Sequence, residues 1–362
     1  MRSRSGAAAT QERALARLSA TLLAVAFGCA SGRGGAPAGS LPSGADAWVS
    51  TLHREHPLVG RFWDVRAGTF LDQAHVEASL SRADLVLLGE THDNPDHHLL
   101  EARIVRAIVS AGRRPAVAFE MLDTQQQAAV DAALGSASPS ADALAEVVGW
   151  ARSGWPDFSL YRPVFAAAID AGLPVVAANL ARPRAREVTS RGMSALSPRV
   201  REILERAGTP SEEAMRSLRE EMKEVHCGEL PESMLDPLVL MQRARDAQLA
   251  ERVLSAADAR GAILVAGAGH VRTDRGVPNY LAREAPARRA LAMAFLEVST
   301  GKDAPSDYAD EFGSGPLPFD YVAFTPATER EDPCRGMHRH KKEPEPLPPT
   351  ALTSAEQPPP RP

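Results

Sequence analysis

Short runs of apolar residues recur along the chain, separated by longer stretches with helical spacing. Residues 85–89 (LVLLG), 116–119 (AVAF), 175–178 (VVAA) and 263–267 (ILVAG) are apolar throughout. Strands without polar alternation are buried on both faces, and helices between them imply a parallel sheet. Two more runs, 290–298 and 320–325, read as further strands, and 61–71 (RFWDVRAGTFL) as a small hairpin at the sheet edge. Helices are expected over about 95–111, 124–134, 139–152, 159–171, 182–191, 198–207, 211–225 and 234–259. Asn94 and Pro95 suit the N-cap and first position of the first of them. The predicted fold class is α/β: a mostly parallel central sheet with helices on both faces, a helical insertion and a small N-terminal hairpin. No internal repeat is visible.

The polar residues that end these runs carry the chemistry. Glu90 follows the first run and His92 comes two residues later; Glu120 follows the second, Asn179 the third, and His270 the fourth. Ligands in open α/β sheets bind outside the carboxyl ends of the strands. One polar residue at a strand end means little, since strands must stop somewhere. Four with this chemistry predict a shared site. Glu90, His92, Glu120 and His270 are suited to hold a divalent metal. They are equally suited to act without one, as general acids and bases whose burial shifts their pKa values apart. No H-E-x-x-H, C-x-x-C-H or Gly-rich phosphate loop is present, and residues 267–270 (GAGH) form a tight turn rather than a dinucleotide fingerprint.

Other candidates have a structural reading beside the functional one. His97 and His98 open the helix after Glu90, and either could face the site or pair with Glu101 on the surface. His226 and Cys227 end a helix, as a nucleophile or ligand pair or as a histidine suited to the helix dipole. Gln242, Arg245 and Asp246 share one helix as site residues or as a solvated face. Tyr161 follows Trp150 and Trp155, as a packing residue or a ligand. Arg272, with Asp274 and Arg275, could hold a carboxylate or merely solvate a loop.

The chain ends are of a different kind. Arg2, Arg4, Arg13 and Arg17 precede an apolar run at 18–27, too short to cross a bilayer and consistent with a secretory signal. Residues 26–29 (AFGC) resemble a bacterial lipobox with Cys29 as the lipid-bearing residue, although Leu is usual where Ala26 stands; ordinary cleavage nearby is the alternative. This divides the chain into a lipoprotein-type signal peptide at 1–28, a Gly/Ser/Pro tether at 29–46, a folded domain at 47–328 and a proline-rich disordered tail at 329–362. The expected location is the periplasmic side of a bacterial membrane. Ser31, with no Asp directly after Cys29, points to the outer one.

Composition narrows the function classes. Of 362 residues, 46 are acidic and 41 basic, a net charge of −5, which excludes a nucleic-acid binder that needs a basic face. Three cysteines exclude a disulfide scaffold and a four-cysteine zinc site, leaving at most one disulfide.

At 87–105 (LLGETHDNPDHHLLEARIV) the sequence resembles the ChaN family of haem-binding uptake lipoproteins, which shares a superfamily with Tiki proteases and erythromycin esterases. AVAFEML, the stretch from Trp155 to Tyr161, VVAANLAR, HCGELPESM, QRARDAQLA and AGAGHVRTDRGVP follow in the expected order across about 57–325. The resemblance implies an α/β fold, haem binding and a role in iron acquisition, with membrane attachment through a lipid and a homodimer as one admissible assembly. It carries Glu90, His92, Glu120 and His270 as the shared polar centre. Tyr161, His97, His98, His226, Asn179 and Arg272 remain open as haem-contacting residues. A hydrolase, esterase or peptidase, using the same Glu/His centre is the competing expectation.

Overall fold

The computed structural model describes residues 48–313, 315–332, 334 and 335. The signal segment, the tether with Cys29, and the rest of the tail with His338 and His340 lie outside the described residues. The domain opens with a hairpin, β1 (Phe62–Asp64) and β2 (Thr69–Leu71), and helix α1 (Gln73–Ser81). Strands and helices then alternate: β3 (Leu85–Glu90), α2 (Pro95–Ser110), β4 (Ala116–Asp123), α3 (Gln127–Leu134), α4 (Ala141–Val147), α5 (Phe158–Asp170) and β5 (Val175–Asn179). Four helices precede the next strand: α6 (Arg182–Arg191), α7 (Pro198–Ala207), α8 (Glu212–Glu224) and α9 (Glu232–Ala256). The fold closes with β6 (Ala262–Gly267), α10 (Val277–Glu284), β7 (Ala290–Glu297) and β8 (Tyr321–Thr325).

The strands form one eight-stranded sheet in the order β2-β1-β8-β7-β3-β6-β4-β5. From β8 to β5 every neighbouring pair is parallel, and the hairpin joins antiparallel at the edge. Apolar runs without alternation are explained by the two cores. Val86, Leu88, Val117, Phe119, Ile263 and Val265 face one layer, with α1 to α5. Leu85, Leu87, Ala116, Ala118, Leu264 and Ala266 face the other, with α6, α7, α9 and α10. The second face is rich in alanine on both sides, since Ala244, Ala247 and Ala250 of α9 pack there. Small side chains let α9 approach the sheet closely, bringing its polar face to the sheet's carboxyl edge.

Three expectations change in detail. β4 runs on to Asp123, so Glu120 lies inside a strand; its register against β5 slips between Phe119 and Asp123. Such a bulge re-aims side chains. The helix expected over 139–152 breaks at Gly149, whose φ of +67° is left-handed. Helices α1 and α10 add to the expected set, the second burying Val277, Tyr280 and Leu281 at helical spacing.

The boundary of the tail also moves. Arg330 pairs with Asp93 and with Glu297, each at 2.6 Å, and Cys334 forms a disulfide with Cys227, 107 residues earlier. The tail assigned from residue 329 therefore begins with residues tied to the domain. Composition could not reveal these partners, which lie far away in sequence.

Candidate functional site

Strands β3, β6, β4 and β5 are consecutive in the sheet, so their carboxyl ends bring Glu90, the turn at 267–270, Glu120 and Asn179 to one edge. The residues expected at the four strand ends therefore share one edge of the sheet. Gly89 and Gly267 are required for close approach. A Cβ at Gly89 would stand 2.2 Å from Val271 Cγ2, and one at Gly267 would stand 2.9 Å from His92 Nε2.

Glu120 is the centre of an outer cluster. It is 1% exposed and accepts hydrogen bonds from the Gly267 amide at 2.8 Å and from Arg245. His270 Nε2 stands 3.3 Å from its Oε1, and His92 Nε2 stands 3.9 Å from its Oε2. His270 Nδ1 donates to Asp246 at 2.6 Å, and Arg245 Nε donates to Asn179 at 3.2 Å. Burial opposes the His270 charge, but Glu120 and Asp246 push its pKa up to about 9. Burial raises Asp246 more than His270 lowers it, so the bridge between the two holds its proton firmly. Burial likewise opposes the Glu120 charge, yet His270 and Arg245 hold it well below the carboxylate range.

An inner cluster lies behind it. Glu90 Oε1 accepts from Tyr161 Oη at 3.0 Å and from His92 Nδ1 at 2.7 Å. His98 Nδ1 donates to Glu101 at 3.2 Å and lies 2.9 Å from Glu90 Oε2, while its Nε2 donates to the His92 carbonyl at 3.1 Å. Burial would lower His98, but the Glu90 charge and the Glu101 hydrogen bond push it up to about 10. Burial and the Glu90 charge hold Glu101 well above the usual range, whereas burial of Glu90 is outweighed by His98 and His92, which keep it ionised.

His92 connects the two clusters and is the most open of these histidines, its side chain 34% exposed. Its ring packs edge-on to Trp155 with centroids 4.8 Å apart. Trp155, Glu120, Asn179 and Arg245 line a cleft of about 590 Å³, within the range of small-molecule sites. Met121, Val148, Leu180, Ala185 and Met241 give it apolar walls, and Arg152 and Arg182 add cationic heads.

Several candidates fall elsewhere. Tyr161 is fully buried; burial and Glu90 raise its pKa far above 10, so its phenol stays protonated inside the core rather than facing a ligand. His97 is a neutral core histidine that accepts from the Thr91 amide at 2.8 Å and contacts Thr325 Oγ1 at 2.9 Å, with burial and His98 lowering its pKa. His98 is fully buried in the inner cluster. Arg272 is committed to Asp274 at 2.9 and 2.6 Å and to the Phe312 carbonyl at 2.6 Å, leaving no fork for a carboxylate ligand. His226 Nδ1 caps Met222 at the end of α8, and Cys227, being disulfide-bonded, is no thiol nucleophile. The expected metal set of Glu90, His92, Glu120 and His270 is split between the two clusters, because Glu90 turns inward.

Arg245, Asp246 and Gln242 are the residues whose reading the fold changes most. They lie one turn apart on α9, and Gln242 Nε2 comes within 3.2 Å of His270 Nε2. Helical spacing showed that they share a face but not that the face meets the sheet edge. Arg152 and Arg182 carried no sequence signal.

A family model described as haem-binding uptake, Tiki superfamily, ChaN matches residues 76–281. The chain belongs to the ChaN family. A structure titled cofacial heme binding to ChaN of Campylobacter jejuni is similar in fold, with 19% identity and a TM-score of 0.56, covering 72% of this chain and 95% of that one. A mutant of the erythromycin esterase EreC in its open conformation is 14% identical, covers 71% and 94% of the two chains, and has a TM-score of 0.43. The type III effector HopBA1 is 17% identical, covers 70% and 92%, and has a TM-score of 0.40. No curated protein matches the chain. Membership of the ChaN family supports haem binding in uptake.

Proposed function

We propose that the cleft beside Trp155 binds haem, with His92 as the residue that reaches the iron. The observation that carries this reading is the fixed orientation of His92. Its Nδ1 is held by the Glu90 carboxylate at 2.7 Å, so Nε2 is the nitrogen left to ligate. A carboxylate behind a ligating imidazole sets the tautomer and raises its basicity. Met121, Leu180 and Met241 suit the macrocycle faces, and Arg152 and Arg182 suit the propionates. A hemin titration of the full chain, followed at the Soret band, tests this. Saturable binding at one site supports it, and its absence overturns it.

The reading extends to an exported protein anchored through Cys29 and active in haem uptake at the periplasmic side of the membrane. A disulfide between Cys227 and Cys334 supports an oxidising compartment. Incorporation of labelled palmitate that Cys29→Ser abolishes is the expected result; equal labelling in both chains would contradict it.

A second reading, hydrolysis, is favoured by the Asp246–His270 pair beside Glu120. With its pKa near 9, His270 would donate a proton to a leaving group rather than accept one from water. Water activation would then fall to His92. An ester and peptide screen should show turnover that His270→Gln reduces by about 100-fold or more. Indistinguishable rates for the two proteins would remove this reading.

A further inference from the structure

Glu90, His98 and Glu101 form the one group among the described residues whose ligand atoms all lie within 4.8 Å of one another. All three are buried, at 2%, 0% and 0% exposure. The Nε2–H of His98 is committed to the His92 carbonyl, so Nδ1, aimed between two carboxylates, is the nitrogen that would ligate once an entering cation displaces the proton it shares with Glu101. Two carboxylate oxygens in the group, Glu90 Oε2 and Glu101 Oε1, are buried without a hydrogen bond. Glu90 Oε2 is 2.9 Å from His98 Nδ1 but lies off the line of its N–H, which points at Glu101.

These features match a ligand set. Imidazole and carboxylate ligands stand about 2.0–2.2 Å from a divalent ion, which places neighbouring donors roughly 3.0–3.4 Å apart. The two His98 Nδ1 to oxygen separations are 2.9 and 3.2 Å. Two carboxylates neutralise a dication, and a ligating histidine whose other nitrogen is fixed by a backbone carbonyl is the usual outer-shell arrangement. Tyr161 Oη, 3.0 Å from Glu90 Oε1, orients the shared carboxylate from behind.

We propose that Glu90, His98 and Glu101 bind a divalent transition cation of the zinc, manganese or ferrous class, in a closed site behind His92. None of the three residues lines the haem cleft, and Glu90 is linked to it only through its hydrogen bond to His92. One nitrogen and two carboxylates select this class over calcium or magnesium, which favour all-oxygen shells. Because the group is sealed, the ion enters as the chain folds and adds to its stability.

Metal analysis of the haem-free full chain, purified after growth with zinc, manganese and iron supplements, tests the proposal. About one equivalent of a single divalent cation per chain is expected, falling at least tenfold in Glu101→Gln and in His98→Gln and retained in His270→Gln. Cobalt titration of the unaltered chain, unfolded, stripped of metal and refolded with the ion, supplies a readout that needs no variant. A d–d absorption saturating at one equivalent supports the site, and a featureless spectrum overturns it. Metal kept in both inner variants, or lost only in His270→Gln, would put the ion elsewhere and also overturn it. Hemin binding is not part of either readout, so failure of the haem reading leaves this result interpretable.

Discussion

His92→Ala is expected to abolish the histidine-type Soret spectrum of the hemin complex and to weaken hemin binding by more than about 100-fold. The scale follows from metal sites generally, where loss of even an outer-shell partner costs 10–100-fold. Glu90→Gln should fall in that outer-shell range, since it keeps the shape of the group that holds His92 Nδ1 but removes its charge. The pH dependence has a definite sign. Burial lowers the His92 pKa, but the Glu90 hydrogen bond and the Glu120 charge raise it above 6.5 overall. A protonated Nε2 cannot bind iron, so affinity should be full above that raised pKa and decline as pH falls through it. A His92→Ala chain that keeps the spectrum and affinity of the unaltered protein would remove His92 from the site.

Glu120→Ala is expected to destabilise the domain by about 3–5 kcal/mol, the range for breaking a buried ion pair by deleting one partner. The side chain is 1% exposed and is approached by Arg245, His270 and the Gly267 amide, with His92 beyond at 3.9 Å. Its loss leaves cationic groups facing one another and an amide without an acceptor. The variant should also change the pH profile. His270, raised from 6.5 to about 9, contributes stability that is fully present below pH 6.5 and is lost as pH rises through about 9. That contribution is on the order of 3 kcal/mol. Without Glu120 the raised pKa relaxes and the alkaline loss of stability should shrink. Urea unfolding of both chains at pH 6, 7.5 and 9 measures both effects. A difference below about 1 kcal/mol at pH 6 would show that Glu120 is not the hub of this cluster.

The sheet was legible because its strands are apolar on both faces and alternate with helices, the pattern of a parallel sheet covered on both sides. Site residues at strand ends were legible for a related reason. In a sheet of this kind the carboxyl ends share an edge, so the sequence alone groups Glu90, Glu120, Asn179 and His270. The residues that make the site work on α9 were harder to read. Arg245 and Asp246 have the composition of a solvated face, and only the close packing of Ala244, Ala247 and Ala250 on an alanine-rich sheet turns them towards His270 and Glu120.

Histidine roles were the least legible, because a sequence shows an imidazole but not what each nitrogen meets. Adjacent residues of one helical turn end in different environments: His97 beside Thr325, His98 between Glu90 and Glu101. Tyr161 is sealed by burial, and Cys227 is claimed by a cysteine 107 residues away. By itself the sequence determined the α/β layering and the edge at which the polar groups meet, because both follow from local periodicity and from where each apolar run stops. Only the tertiary structure decided which carboxylate turns outward to the cleft and which inward. That depends on a bulge in β4, on the glycines that admit His92 and Val271, and on charges brought together from distant parts of the chain.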